Sequence, residues 1–377
     1  MPQSMLLDIL RRGSAQRILE GTPSVDRGLL VDPVQFPFLA IVGQTQMRMA
    51  LVLAVINPRV GGVLLIGPRG TGKTIAVRGL ADLLPPVERS TCAYGCEPEA
   101  AHAYGMDAVC EDCAAKLARG EPITRPDRMR LTELPLNSRL EDVVGGINER
   151  VAIEQNRVRL ERGILARADR NILYIDEINL LDDEIVNAIL DAAAQGRYTV
   201  RRGPLTATYR ARFVLIGSMN PEEGRLRPQI LDRIGLHVTV KGLEDTADRM
   251  EVYRRVRQFQ DDPHGMASLY ADATLTMMDE IEEAQQLLPR VRLTPPAQEL
   301  ALEAINRLKI DSNRAEIFAL EAARAHAAAD GRTAVMEEDT RAVALMALRQ
   351  RRSEFMIEYF GQVEEQDQVI QETLDSL

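Results

Sequence analysis

Lys73 and Thr74 close a glycine-rich run, Gly62-Val-Leu-Leu-Ile-Gly67-Pro68-Arg69-Gly70-Thr71-Gly72-Lys73-Thr74. A movable ammonium, a hydroxyl and a backbone freed of Cβ atoms form a set suited to a chain of phosphates. Gly67, Gly72, Lys73 and Thr74 satisfy the pattern G-x-x-x-x-G-K-[ST]. Glycines at 67, 70 and 72 let the main chain reach phosphate oxygens, with Pro68, Arg69 and Thr71 completing the loop. The helix that follows offers unpaired N–H groups and the positive end of its dipole. Lys73 is the point charge for β- and γ-phosphates, and Thr74 can complete an Mg²⁺ shell. A chance glycine-rich loop is the alternative, and the strand–turn–helix context argues against it. The chain has only four lysines, Lys73, Lys116, Lys241 and Lys309, against a large excess of arginine. A planar guanidinium does not replace a compact ammonium, so lysine at this position is informative.

A second chemical stretch is Asn171-Ile-Leu-Tyr-Ile-Asp176-Glu177. Two acids at the end of an apolar strand fit an ATPase in which Asp176 holds Mg²⁺ and Glu177 polarises the attacking water. A helix cap is the plainer reading of the same pair. Phe213-Val-Leu-Ile-Gly-Ser-Met-Asn220-Pro221 ends a third apolar run on an amide that can bond both the γ-phosphate and the lytic water, or simply make an Asn-Pro turn. Arg233 closes a short helix, which is ordinary dipole pairing and also a place from which one subunit can reach a neighbour's ATP. Arg314 stands at a helix start, where the dipole disfavours a cation, which suggests an anionic partner or else simple exposure to solvent. Val42 and Gly43, in an apolar Ile-Val-Gly-Gln turn upstream of the loop, can cover an adenine ring or pack as a loop edge.

Positioning these groups calls for an α/β sheet of buried parallel strands with helices on both faces. Helices are expected over Thr45–Ile56, Ile75–Leu84 and Glu184–Ala194, a charged helix over Glu149–Arg162, and a hairpin over Gly196–Arg210 turned at Gly203-Pro204. His237–Lys241 reads as the last strand. Residues 1–35 read as an N-terminal arm, 36–242 as the nucleotide-binding domain, 243–262 as a linker, and 263–377 as a helical lid with an acidic tail. Lid helices are expected over Asp272–Leu288, Pro296–Leu308 and Glu337–Gln350, with one ending at Ala329 that Asp311 or Ser312 can cap.

All four cysteines fall in an insertion spanning 90–125: Cys92, Cys96, Cys110 and Cys113. Two close pairs separated by a loop suit a four-thiolate site for structural zinc or a [4Fe–4S] cluster. Unliganded thiols are the alternative, while disulfides are disfavoured in a reducing compartment.

At 377 residues the chain exceeds one ordinary core. Its net charge of −10, and aromatics at 4% with no Trp, argue against a nucleic-acid coat or a base-stacking platform. No apolar run is long enough to span a membrane, and the N-terminus lacks a secretory pattern, so a cytoplasmic protein is expected.

The order of phosphate loop, Asp-Glu strand, Asn-ended strand, arginine, then helical lid with its own arginine resembles the AAA+ ATPases. From about Phe36 to Arg351 the chain looks most like the magnesium chelatase subunit I family. Phe36-Pro-Phe-Leu-Ala-Ile-Val-Gly-Gln, Arg212-Phe-Val-Leu-Ile-Gly-Ser-Met-Asn-Pro-Glu-Glu-Gly and Leu226-Arg-Pro-Gln-Ile-Leu-Asp-Arg carry that resemblance. It implies an ATP motor, in a ring of six, for Mg²⁺ insertion into protoporphyrin IX in (bacterio)chlorophyll biosynthesis. A second AAA+ subunit and a large porphyrin-binding subunit are the implied partners. It makes Arg233 the arginine finger, Arg314 the lid sensor, and the 196–210 hairpin and segment 139–162 the family's inserts. Neither the four cysteines nor the N-terminal arm is covered by it. A MoxR-like or cobaltochelatase-type remodeller shares much of the same grammar and is the alternative.

Overall fold

The structure is a computed structural model, described over residues 34–147, 160–203 and 205–352. The N-terminal arm, most of the expected charged helix over 149–162 and the acidic tail lie outside the described residues.

The strands in chain order are β1 (Val63–Ile66), β2 (Pro86–Ser90), β3 (Thr124–Arg128), β4 (Leu131–Leu134), β5 (Ile172–Ile175), β6 (Arg197–Arg202), β7 (Leu205–Arg210), β8 (Val214–Met219), β9 (Leu236–Thr239), β10 (Arg292–Leu293) and β11 (Ala334–Val335). Five of them form one parallel sheet in the order β4-β5-β8-β1-β9. The short apolar runs form these strands because both faces are covered, so neither face needs polar residues. Val63, Leu65, Ile172, Tyr174, Val214 and Ile216 face one core, while Leu64, Ile66, Leu173, Ile175 and Leu215 face the other. β8 lies between β1 and β5, so the three segments leaving these strands meet at one edge of the sheet.

The first core is shared with Thr45–Ile56, a helix apolar nearly all round and buried from Met47 to Ile56. Such a helix must be enclosed on all sides. The sheet covers one side, and the C-terminal helices Pro263–Leu287 and Arg314–Ala329 contribute to the same core. The second core takes Asp183–Gln195, which presents Ile185, Val186, Ile189 and Leu190.

The helix after the phosphate loop is shorter than expected: α-helix runs Lys73–Gly79 and continues as a 3₁₀ turn, Leu80–Leu83. Gly79 leaves no room for a Cβ, which would lie 2.5 Å from the Phe36 carbonyl oxygen. The stretch 243–262, expected as a linker, contains the helix Thr246–Asp261, capped by Asp245. The next helix starts at Pro263 rather than Asp272, with Asp262 accepting from the Gly265 amide at 2.8 Å. Asn313, not Asp311 or Ser312, is the residue preceding Arg314–Ala329.

β6 and β7 form the expected antiparallel hairpin, Arg202 opposite Leu205. β2 and β3 pair antiparallel at the two ends of the cysteine insertion, and the Thr91 amide extends the contact to the Ile123 carbonyl at 2.8 Å. The ends of a long insertion are thereby brought side by side.

Candidate active site and cysteine cluster

Gly67 leaves β1 with its amide donating to Met219 O of β8 at 3.0 Å. A Cβ there would stand 2.0 Å from the Val240 carbonyl oxygen, so only glycine fits between β1 and the chain beyond β9. Gly70 and Gly72 adopt φ +78° and +85°, with open space where a side chain would begin. That open side faces a cleft of about 230 Å³ lined by Arg69–Ile75, Asp176, Glu177, Ser218 and Asn220. The Lys73 ammonium folds back on the loop, donating to Gly67 O at 2.7 Å and Pro68 O at 2.8 Å. Burial lowers its pKa, opposed by Asp176, Glu177 and Glu223.

Asp176 lies just beyond β5 and is held from three directions. Tyr174 donates from its hydroxyl to Asp176 Oδ1 at 2.8 Å, Ser218 donates to the same oxygen, and Thr74 Oγ1 stands 3.4 Å from Oδ2. Tyr174 also reaches Thr74 Oγ1 at 3.2 Å. These contacts place a carboxylate beside a hydroxyl, two oxygen donors of the kind Mg²⁺ accepts. Burial raises the Tyr174 pKa, so its phenol remains a donor.

Glu177 takes a left-handed backbone, φ 53°, and its amide donates to Ser218 Oγ at 3.0 Å. Its carboxylate meets Arg69 Nη2 at 3.1 Å, and the same nitrogen reaches Glu223 at 2.5 Å. Asn220 is buried at the cleft wall, with Oδ1 accepting from the Glu222 amide at 3.2 Å. It therefore does make the turn, and the NH₂ of its amide is the end left to donate.

The remaining expected residues stand away from this wall. Val42 is buried, and Gly43 packs against Leu243 with Gln44 bonded to Lys241 O at 2.7 Å. Arg233 sits at the surface, its Nη1 2.7 Å from Asp191 Oδ1. Arg314 does have an anionic partner, Asp232 Oδ2 at 2.7 Å. Tyr174 and Ser218 were not singled out by sequence. The available signal was period-two spacing: Tyr174 and Asp176 point to the same side at the end of β5.

The four cysteines come together as expected, their sulfurs all within 4.8 Å of one another and none in a disulfide. A hydrogen bond from the Cys96 thiol pulls Cys92 down to about 3, and the same contact pushes Cys96 up. Burial pushes Cys113 up to about 12. Sulfurs this close cannot all ionise without a cation among them, so the cluster is able to bind a metal.

Strand order, phosphate cleft and C-terminal helices together define a phosphate-loop ATPase of the AAA+ class. Three family models match successive parts of the chain: magnesium chelatase subunit ChlI over 37–104, an MCM P-loop domain over 148–240, and an AAA lid domain over 281–373. A magnesium-chelatase subunit ChlI homolog of Methanocaldococcus jannaschii is 42% identical, covering 85% of this chain and 87% of its own. The magnesium-chelatase 38 kDa subunit of Acidiphilium rubrum is 44% identical, covering 84% and 90%. A solved complex between subunits BchI and BchD of magnesium chelatase, based on single-particle cryo-EM, contains a chain 38% identical, covering 85% and 97%, with a TM-score of 0.47. The chain belongs to the magnesium chelatase ChlI family. Among the described residues no helix is long and apolar enough to cross a membrane.

Proposed function

We propose that this chain is the ATP-hydrolysing motor subunit of a magnesium chelatase, driving Mg²⁺ insertion into protoporphyrin IX for (bacterio)chlorophyll synthesis in the cytoplasm. Its family membership supports the assignment, and the relatives are named as subunits of a larger enzyme. The observation that carries the motor reading is the position of Arg233. It lies at the surface, outside the wall of its own cleft, and among the described residues its side chain is held by a half-exposed ion pair with Asp191. A guanidinium placed there serves a neighbouring copy, so the chain works as a ring, six-membered by analogy with its class. The ring acts on a second AAA+ subunit and a porphyrin-binding subunit.

Within one copy, Gly67–Thr74 binds the phosphates and Val42 with Gly43 covers the base. Thr74 and Asp176 would hold Mg²⁺, which supplies charge neutralisation between the phosphates. Glu177 orients and deprotonates the lytic water, Asn220 donates its NH₂ toward water and phosphate, and Arg314 reports the nucleotide to the lid. At the insertion, Cys92, Cys96, Cys110 and Cys113 would hold zinc or a [4Fe–4S] cluster as four thiolates.

Reconstitution with candidate partner subunits, following Mg²⁺ and Co²⁺ insertion into the macrocycle by absorbance, tests the assignment. ATP-dependent Mg²⁺ insertion is expected. Insertion of Co²⁺ alone, or ATPase activity with no insertion in any combination, would overturn it.

A further inference from the structure

The ATPase chemistry makes no use of the insertion between β2 and β3, yet this segment has its own architecture. Among the described residues its buried apolar cluster consists of Cys96, Cys113 and Ile123, with Val109 and Leu117 partly buried beside them. A core that small cannot hold some thirty residues in place by apolar burial, and small modules of this kind fold around disulfides or metals. There is no disulfide, and the four sulfurs converge.

Their separation selects among metals. A tetrahedral ion with Zn–S bonds of about 2.3 Å brings its sulfurs to about 3.8 Å from one another. The present separations of at most 4.8 Å need little adjustment to reach that. In a four-iron cluster each thiolate sits on a different iron at a different corner, so the sulfurs stand farther apart. Donors are also already aimed at sulfur. The Cys96 amide points to Cys92 Sγ at 3.4 Å and the Cys110 amide to Cys96 Sγ at 3.2 Å, as an anionic thiolate centre requires.

The insertion is also coupled to the main sheet. Glu97, the residue after Cys96, is buried and accepts hydrogen bonds from Arg170, Arg210 and Arg212. These arginines belong to the approach to β5, the end of β7 and the approach to β8. Tyr94 stacks on Tyr209 of β7, ring centroids 5.5 Å apart, and its carbonyl accepts from the Arg210 amide at 3.2 Å.

We propose that Cys92, Cys96, Cys110 and Cys113 bind one zinc ion as four thiolates, and that this ion holds Glu97 in its three-arginine socket and thereby fixes the β6–β7 hairpin. Binding releases the thiol protons to solvent and involves no redox step. Glu97 is a positioning residue that acts through the hairpin. The inference is independent of which macrocycle, if any, the motor serves.

The test uses the full chain purified without added metal. One zinc per chain is expected, without acid-labile sulfide. Co²⁺ exchanged into the same site should give thiolate-to-metal charge-transfer bands and tetrahedral d–d bands. Cys110→Ser with Cys113→Ser should lose the zinc. If that variant fails to fold, wild-type protein stripped by a chelator and reloaded with Zn²⁺ gives the same comparison. Hydrogen exchange of amides 197–210 should rise at least tenfold in the stripped protein and return on reloading. Glu97→Gln should retain one zinc and show the same faster exchange. Iron with sulfide, less than a tenth of a zinc per chain, or zinc loss that leaves hairpin exchange unchanged would each overturn the proposal.

Discussion

Arg314 donates from Nη1 to Asp232 Oδ2 at 2.7 Å, tying the first residue of a lid helix to the residue that precedes Arg233. Arg351, whose side chain is fully buried, reaches the other oxygen of Asp232 at 3.1 Å and the Ile234 carbonyl at 2.6 Å. The two proposed arginine functions, one toward nucleotide and one toward a neighbour, therefore share a single mechanical joint. Burial would raise the Asp232 pKa, but bonds from Ser312, Arg314 and Arg351 hold it below the usual carboxylate range.

Asp232→Asn keeps the shape of this joint and removes its charge. Loss of charged hydrogen bonds to a buried guanidinium is expected to lower unfolding free energy by about 2 kcal/mol at neutral pH. Arg314→Ala breaks a half-exposed pair and should cost less than about 1 kcal/mol. Denaturant titration of the two variants compares them; equal losses would show that Arg351 does not depend on the Asp232 charge.

Arg233→Ala should lower ATP turnover by about 10³ to 10⁵, the range for an arginine finger, with nucleotide affinity changed only a few-fold. Mixing this variant with Lys73→Ala should restore part of the rate, because some seams then combine an intact Lys73 with an intact Arg233. Turnover near wild type in Arg233→Ala alone, or no recovery on mixing, would place the cation elsewhere.

Tyr174→Phe removes a donor to Asp176 without altering the apolar ring that packs in the sheet. Outer hydrogen bonds of this kind contribute about 10- to 100-fold to metal affinity or activity. The Mg²⁺ concentration for half-maximal ATPase should therefore rise by about tenfold, measured at fixed saturating nucleotide. An unchanged Mg²⁺ requirement would mean that Ser218 and Thr74 suffice to orient Asp176.

The lid contains one acid-sensitive carboxylate whose contribution can be isolated. Burial pushes the Asp339 carboxyl up, but His326, Arg332 and the Met336 amide outweigh it and bring the pKa to about 2. Because the folded value lies below the unfolded one, the stabilisation is complete above about pH 4 and is lost as pH falls toward 2, amounting to about 2 kcal/mol. Asp339→Asn should be less stable than wild type at pH 7, and the gap should narrow as pH falls below 4. Chemical denaturation at a series of pH values reads this directly; a constant gap would contradict it.

Much of the sheet is legible in the sequence because buried parallel strands are short, apolar and bounded by polar residues that do chemistry. Lys73 and Thr74 could be placed from the glycine-rich loop between strand and helix, and Asp176, Glu177 and Asn220 from their positions just past strand ends. The Thr246–Asp261 helix was not, for a physical reason: Arg255 is its only buried residue, so it carries little apolar periodicity. The Arg314–Asp232 pair joins residues 82 apart, and no local pattern reports such a contact. Ser218 lay hidden in an apolar run, where a small hydroxyl reads as filler until its neighbour on the adjacent strand is known to be Asp176.

β8 runs from the cysteine module to the phosphate cleft. Arg212, two residues before it, grips Glu97 at the foot of the sheet, and Asn220 follows directly at the head. Six extended residues span about 20 Å, stiffened on both sides by β1 and β5. A strand so clamped moves only with its sheet, so the contact to the cysteine module and the wall of the phosphate cleft are carried on opposite ends of one rigid element.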